Sequence, residues 1–257
     1  MTKRQRSSNG AGTENSGLVY GINPVLEALR GDAPVEKLVV ARGRAGEELK
    51  AILAAAGKKR VPFEFRDRSE IDRLTGGKSQ GIAAFCKPYK YSDLVDVISG
   101  KGRSEKRNKL LVLLDSITDP QNLGALIRTA YVFGADGVVI PERRAAQVTP
   151  AVIKASAGAA HRLPVSRVVN LAHAIDGLKK ENFWIYGAAA GSGRDFTEFD
   201  YSGNNALVLG SEGEGLRGLV EKKCDFLVSI PMAGDLDSLN VSVAAGIILQ
   251  EIARKRV

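Results

Sequence analysis

The chain has 257 residues, of which 44% are hydrophobic, and it carries a net charge of +8 at neutral pH. This length and composition allow two domains of ordinary size with folded cores, and no apolar run approaches the length of a membrane span. The first residues lack the apolar segment of a secretory signal. We therefore expect a cytoplasmic protein with no membrane partner.

The cysteine and histidine residues do not form a metal-binding pattern. The two cysteines, Cys86 and Cys224, are far apart, and neither histidine, His161 or His173, lies in a metal-type spacing with them. We expect free thiols in a reducing compartment and no metal site.

The positive charge is distributed unevenly along the chain. Residues 17–90 contain 14 basic and 9 acidic residues, whereas residues 110–257 contain 15 basic and 16 acidic ones. A basic module joined to a nearly neutral one suggests that the first captures a polyanion while the second performs chemistry. The alternative is that the basic residues serve only solubility.

The first 106 residues predict a tail, a small domain and a linker. Residues 1–16 are polar and without periodicity, which is typical of disorder. Residues 17–90 alternate between helix and strand patterns, and Ser69 is expected to cap the third helix, so we predict a small α/β domain. A linker is predicted over 91–106, with a short helix near 93–98 before a glycine-containing basic stretch. The predicted helices of the domain are 24–29, 47–56 and 69–74, and its strands are 37–41, 61–65 and 81–86.

Residues 107–257 predict a second α/β domain. Buried strand patterns alternate with helix patterns, which favours a parallel sheet covered on both faces, and pattern alone favours an unknotted chain. The predicted strands are 110–114, 137–140, 163–166, 183–188, 205–209 and 226–230. The predicted helices are 120–133, 149–157, 170–179, 215–220 and 240–254.

Polar residues and glycines follow the first strand of this domain. Asp119 suits the N-cap of the next helix, and Pro120 suits its first position. Arg128 is the only charged residue between positions 120 and 135. A guanidinium buried there without a partner would be costly, so Arg128 either reaches solvent or meets an anion such as Glu212 or an RNA phosphate.

Two further strands end in loops of the same kind. The strand 205–209 is followed by Gly210–Leu216, where three glycines among six residues allow backbone to approach a ligand. The strand 226–230 ends before Pro231, and Ser238 and Asn240 then precede the last helix, which either residue can cap. These loops together indicate a ligand site.

The segments carry a resemblance to a known family. The helix D-P-x-N-x-G-A-x-x-R-T-A, the loop L-G-S-E-G-E-G-L and the ending I-P-M-x-G…S-L-N-V-S-V-A-A-G-I resemble, in order, the three motifs of the SpoU (TrmH-type) SPOUT RNA methyltransferases. The similarity covers residues 107–257. Residues 18–90 resemble that family's small substrate-binding domain, which is related to ribosomal protein L30. Many members have histidine where this chain has Ser79.

The resemblance implies a fold and an activity. It implies an α/β trefoil knot at the C-terminus, S-adenosylmethionine as methyl donor, and transfer to a ribose 2′-hydroxyl of RNA, in particular a guanosine of 23S rRNA. A tRNA-directed enzyme remains an alternative. It also implies a homodimer through the C-terminal domain and RNA, rather than DNA, as partner. The cofactor positions fall on Gly210, Ile230 and Leu239, and the catalytic positions on Asn122, Arg128, Glu212, Ser238 and Asn240.

The chemistry of these residue types constrains their roles. A guanidinium does not readily lose its proton, so Arg128 suits a phosphate or oxyanion stabiliser better than a base. Glu212 would then orient Arg128 or accept the proton itself. Ser238 and Asn240 would position loop and ribose, with helix capping as their alternative role.

Other classes fit less well. A Rossmann enzyme needs G-x-G-x-x-G after its first strand, and here the sequence D-S-I-T-D-P follows instead. The chain also lacks a Walker A motif. A non-catalytic RNA-binding or ribosome-assembly protein stays open, although the intact set of catalytic positions disfavours it.

Overall fold

The computed structural model describes residues 17–31, 33–99, 108–234 and 238–256. The chain divides into two compact units, residues 1–89 and residues 90–257. The predicted tail 1–16, and residues 100–106 of the predicted linker, lie outside the described residues.

The first unit is a small α/β domain with one mixed sheet. The strand order is β1-β4-β2-β3; β2 and β3 run parallel, and β4 is antiparallel to both of its neighbours. Its elements are β1 (Leu18–Tyr20), α1 (Ile22–Arg30), β2 (Val35–Ala41), α2 (Glu47–Lys58), β3 (Phe63–Arg66), α3 (Arg68–Thr75) and β4 (Ile82–Cys86).

Both faces of this sheet are covered near its centre. Leu38 and Val40 of β2 pack with α1 and α2 on one face, and Val39 packs with Ile71 of α3 on the other. The expectation that Ser69 caps α3 was wrong, because the helix begins one residue earlier and Asp67 occupies the N-cap position. The strand β1 was not predicted from the sequence.

The second unit contains a seven-stranded sheet of order β7-β6-β5-β10-β8-β11-β9, and all its neighbouring strands are parallel. Its strands are β5 (Leu110–Leu114), β6 (Gly137–Pro141), β7 (Val165–Val168), β8 (Phe183–Ala188), β9 (Arg194–Asp195), β10 (Asn204–Leu209) and β11 (Phe226–Ser229). Its helices are α4 (Leu94–Ser99), α5 (Pro120–Val132), α6 (Pro150–Ala155), α7 (Leu171–Lys180), α8 (Gly218–Glu221) and α9 (Val241–Lys255).

The central strand β5 shows why the sequence reads as a continuous apolar run. Leu111 and Leu113 pack in the cluster that includes α4 and α7, while the alternate residues Leu110, Val112 and Leu114 are equally buried on the opposite side. A strand buried on both faces has no polar alternation. The carboxyl ends of β5, β10, β8 and β11 lie at one edge of the sheet because all four strands are parallel.

The two cysteines lie in different units. Cys86 in the first unit is buried and Cys224 in the second is half-buried, and both are free thiols, as the sequence predicted. Burial raises the pKa of Cys86 to about 11 and that of Cys224 to about 12. No helix in the described ranges is long and apolar enough to cross a membrane.

Candidate active site

A cavity of about 590 Å³ opens at the carboxyl ends of β10, β8 and β11. Its walls come from the chain segments that follow these three strands and from the first turns of α9. Gly210, Ile230 and Leu239, which the resemblance assigns to the cofactor, all line it, and so do Glu212 and Ser238. Two of the three loops that the sequence singled out, those after β10 and β11, therefore converge on one cavity, and the segment after β8 completes its wall. The third, the loop after β5, does not line the cavity.

The loop after β10 folds tightly back on itself. Ser211 and Gly215 pair through two backbone hydrogen bonds, of 3.1 Å and 3.0 Å between nitrogen and oxygen. This brings Gly215 against Gly210, where a Cβ atom would lie only 2.1 Å from the carbonyl carbon of Gly215. Glycine is thus required at position 210 for the loop to close beside the cavity.

A buried carboxylate fixes the far end of the same loop. Asp115, at the end of β5, is fully buried and accepts hydrogen bonds from Arg217 at its backbone nitrogen (2.8 Å) and at Nε (2.6 Å). The terminal guanidinium nitrogen Nη2 of Arg217 lies 2.5 Å from Asp115 Oδ1. Sequence reasoning missed this pair, although a charged residue directly after a buried strand was the available signal. The helix α8, which was predicted near 215–220, begins only at Gly218, because Arg217 has an extended backbone conformation at the N-cap.

Asn122, Glu212 and Asn240 form one hydrogen-bonded network from three segments of the chain. Asn122 Nδ2 donates to Glu212 Oε1 at 2.9 Å, and Asn240 Nδ2 donates to the same oxygen and to Asn122 Oδ1, the latter at 3.2 Å. The backbone nitrogen of Val241 lies 3.4 Å from Glu212 Oε1. The carboxylate is therefore at the N-terminus of α9, where the helix dipole favours negative charge.

Helix caps fix the chain at both asparagines of this network. Asp119 caps α5 by accepting from the backbone nitrogens of Gln121 (3.1 Å) and Asn122 (3.3 Å), as predicted. Asn240 caps α9, and its Oδ1 accepts from the backbone nitrogen of Ser242 at 3.0 Å. Of the roles that the sequence left open for Asn240, the structure shows the helix cap through Oδ1, and Nδ2 of the same side chain reaches Glu212.

Ser238 and Arg128 do not join this network. Ser238 is exposed at the cavity and does not cap α9, since that position belongs to Asn240. Arg128 is exposed on α5, and within the described residues it has no hydrogen bond or ion pair with Glu212 or any other group. Of the two environments expected for Arg128, the structure shows the solvent-exposed one.

No metal centre accompanies the site in the part of the chain that the structure describes. No group of three or more histidine, cysteine, aspartate or glutamate side chains there could hold a metal ion. What the arrangement offers is a cavity for a small molecule, a fixed carboxylate at its rim and an exposed cation on the neighbouring helix α5.

The chain is similar to known proteins over nearly its whole length. Residues 109–250 match the SpoU rRNA Methylase family, and residues 18–92 match the domain described as RNA 2′-O ribose methyltransferase substrate binding. The Bacillus subtilis (strain 168) protein YacO, whose name assigns it to the TrmH family of tRNA/rRNA methyltransferases, is 40% identical over 239 residues. That similarity covers 93% of this chain and 95% of the relative.

Two solved structures share the fold. The SpoU methyltransferase AviRb from Streptomyces viridochromogenes, in complex with the cofactor AdoMet, superposes with a TM-score of 0.61 at 28% identity, over 93% of this chain and 90% of that one. The AdoMet-bound rRNA methyltransferase from Sinorhizobium meliloti has the same TM-score at 25% identity, over 93% and 87% of the two chains. With an N-terminal substrate-binding domain and a C-terminal SPOUT domain, the chain therefore belongs to the SpoU rRNA methylase family and is an RNA methyltransferase of the SpoU/TrmH type.

Proposed function

We propose that the protein transfers a methyl group from S-adenosylmethionine to a ribose 2′-hydroxyl of RNA. The observation that carries this proposal is the cavity of about 590 Å³ with Glu212 held at its rim by Asn122 and Asn240. Transfer of a methyl group from a sulfonium is an in-line displacement, which requires alignment of the two substrates and a group that accepts the hydroxyl proton.

The residues that line the cavity fit this cofactor. Small-molecule sites occupy about 300–1,000 Å³ and combine apolar walls with a few polar groups. Ile230 and Leu239 offer apolar surface for the adenine, and Gly210, where the loop closes on Gly215, also lines the cavity. When bound, S-adenosylmethionine supplies the electrophilic methyl group.

Glu212 is the proposed proton acceptor. Its Oε1 receives hydrogen bonds from the amides of Asn122 and Asn240 and a longer one from the backbone of Val241. Among the described residues, no donor contacts its Oε2. The network therefore fixes one carboxylate oxygen and leaves the other available to take the proton of the ribose hydroxyl.

Arg128 is proposed to bind an RNA phosphate or to stabilise the developing 2′-oxyanion. A guanidinium group supplies positive charge and is poorly suited to act as a base. Its exposure leaves it accessible to RNA. Ser238 and Asn240 position the ribose, and Asn240 also holds Glu212.

We also propose a homodimer through α5 and α9. Tyr131 and Val132 on α5 are 38% and 66% exposed, and Val243 on α9 is 50% exposed. Arg128 belongs to the same side of α5 as Val132, one helical turn away. A second copy that covers this apolar stripe would bring Arg128 to the border of the interface. Light scattering at micromolar concentration tests this, and an active monomer would reject it.

Cofactor binding is the first test of the proposed function. A ligand that binds only the folded state stabilises it by about 2.7 kcal/mol when it is present at 100 times its Kd. S-adenosylmethionine should therefore raise the melting temperature of the protein, and adenosine triphosphate at the same concentration should not. Absence of any rise would favour a non-catalytic RNA-binding or ribosome-assembly protein.

The proposed substrate is a guanosine of 23S rRNA. The sequence resemblance over both domains points to the 23S enzymes, whereas the name of the Bacillus subtilis relative includes both tRNA and rRNA. Mapping ribose methylation across rRNA and tRNA in cells without the protein decides between them. Loss of one 23S guanosine modification supports the proposal, and loss of a tRNA modification supports the alternative substrate.

A further inference from the structure

The edge strand β3 of the first unit exposes two aromatic rings side by side. Phe63 and Phe65 are 49% and 47% exposed, and their centroids are 5.7 Å apart with the rings at 89° to one another. Single exposed apolar residues are common, but two large adjacent rings on a sheet edge form a continuous apolar surface. Edge strands usually carry charged residues that prevent pairing with other chains.

The position of β3 explains why these rings are uncovered. Phe63 lies opposite Leu38 and Phe65 opposite Val40 in the parallel pair of β2 and β3. Leu38 and Val40 are fully buried in the cluster with α1 and α2. The two phenyl rings therefore continue the same face of the sheet beyond the helices that cover its centre.

Basic residues flank the rings on both sides along the chain. Residues 58–68 contain five lysine or arginine residues and two acidic ones. Both acidic side chains are engaged: Glu64 pairs with Lys37 and Arg66, each at 2.6 Å, and Asp67 lies 3.6 Å from Arg42. The surface around the rings is therefore net positive, and its negative charges are already neutralised.

Exposed basic side chains remain available in the segment that precedes the rings in the chain. Lys58 and Arg60 are exposed, and neither has an ion pair among the described residues. Arg60 has a positive φ of 55°, in the turn that leads from α2 towards β3. Cations that precede a pair of exposed rings offer phosphate contacts beside an aromatic surface.

We propose that Phe63 and Phe65 form a stacking platform for unpaired bases of the RNA substrate, with Lys58 and Arg60 contacting the adjoining phosphates. Unpaired bases stack on exposed aromatic side chains, whereas the bases of an A-form duplex are stacked on one another and are not accessible in this way. The surrounding positive charge favours a polyanion over a second copy of the same basic surface. This inference rests on the proposed function, because it assigns a second contact to the same RNA.

The test measures how the full chain binds a fluorescent single-stranded 12-nucleotide RNA and a blunt duplex of equal length. In the variants Phe63→Leu and Phe65→Leu the residues stay apolar but lose the aromatic ring, while Phe63→Tyr and Phe65→Tyr keep it. We expect each leucine variant to bind single-stranded RNA about tenfold more weakly, within the range measured for one base stacked on an aromatic ring. The tyrosine variants should bind like the wild type, and duplex affinity should not change.

Salt dependence separates stacking from charge. Removing one phosphate contact reduces the slope of log affinity against log salt concentration by about 1. We therefore expect Arg60→Ala to lower this slope and the leucine variants to leave it unchanged. Trp184→Ala in the second unit is the matched control, because Trp184 is also 49% exposed, and its RNA affinity should equal that of the wild type.

Three outcomes would overturn the proposal. The first is that both leucine variants bind single-stranded RNA with wild-type affinity. The second is that they lose affinity equally for single-stranded and duplex RNA. The third is that they change the oligomeric state without changing the RNA affinity. The last would identify the rings as a contact between copies. Binding of single-stranded RNA through the rings by a protein that does not bind S-adenosylmethionine would support the platform while rejecting the proposed function.

Discussion

Substitution of Gly210 by alanine tests the packing of the loop that lines the cavity. The added Cβ would lie 2.1 Å from the carbonyl carbon of Gly215, 2.2 Å from its oxygen and 2.5 Å from the backbone nitrogen of Leu216. Non-bonded carbon atoms prefer a separation of about 3.5 Å, so the opposing chain has to move by more than about 1 Å. The three atoms belong to the backbone, so no side-chain rotation can relieve the overlap.

The expected effects follow from that displacement. Overpacking typically costs about 1–3 kcal/mol, and we expect a loss near 3 kcal/mol in the free energy of unfolding because backbone must yield. The same loop carries Glu212 and lines the cavity, so the Kd for S-adenosylmethionine should rise at least tenfold, which corresponds to about 1.4 kcal/mol. Urea unfolding and calorimetric titration measure the two quantities separately.

Gly218→Ala provides the matched control for this experiment. A Cβ at Gly218 has no atom within 4 Å, and the residue begins α8, where alanine is favoured over glycine by up to about 1 kcal/mol. This variant should keep the cofactor affinity of the wild type. If Gly210→Ala and Gly218→Ala have the same free energy of unfolding and the same Kd for S-adenosylmethionine, the inferred contact between position 210 and the backbone at 215–216 is incorrect.

Asp115→Asn should lower the free energy of unfolding by about 2 kcal/mol and weaken cofactor binding, because the charged contact with Arg217 is lost. The loss stays moderate because the side chain of Arg217 is 45% exposed and is partly rehydrated. Unchanged urea unfolding would reject this prediction. Arg128→Ala should abolish methyl transfer but change stability by less than about 0.5 kcal/mol and leave cofactor affinity intact, and near-normal turnover would remove Arg128 from the mechanism. Hydrogen bonding, first from Arg254, lowers the pKa of Glu251 from 4.5 to about 2. The contribution of that carboxylate is therefore complete above pH 4.5 and is lost as the pH falls towards 2, so the stability difference between wild type and Glu251→Gln should shrink over that range, and a constant difference would contradict it.

The buried strands were the most predictable part of the fold. The strand 110–114 has the predicted bounds, because a strand buried on both faces is a continuous apolar run bounded by turn residues. The strand 183–188 also has them, although Trp184 on it is half exposed. The strand β9, only Arg194 and Asp195, was missed because its pairing with Val228 and Ser229 depends on residues far away in the sequence. Local pattern carries no information about such pairing.

The site was predictable in its loops but not in its contacts. Helix-capping and glycine signals identified the segments that carry Asn122, Glu212 and Asn240, and parallel strands bring such segments to one edge. Which side chains then meet depends on tertiary geometry. Asp115 and Arg217 are 102 residues apart, so their pairing could not be found locally. Whether Arg128 reaches solvent or meets an anion could not be decided for the same reason, since the direction of its side chain from α5 is not visible in the sequence.

The central claim is that a methyl group moves from S-adenosylmethionine to a ribose oxygen of RNA. The most direct measurement incubates the purified protein with isotope-labelled S-adenosylmethionine and RNA from cells that lack the protein. The RNA is then digested to nucleosides for mass spectrometry. The account predicts label on the 2′-oxygen of one guanosine of 23S rRNA, and its loss in Glu212→Gln at unchanged cofactor affinity. Label on a base, or no label on any RNA by a protein that binds the cofactor, would contradict it.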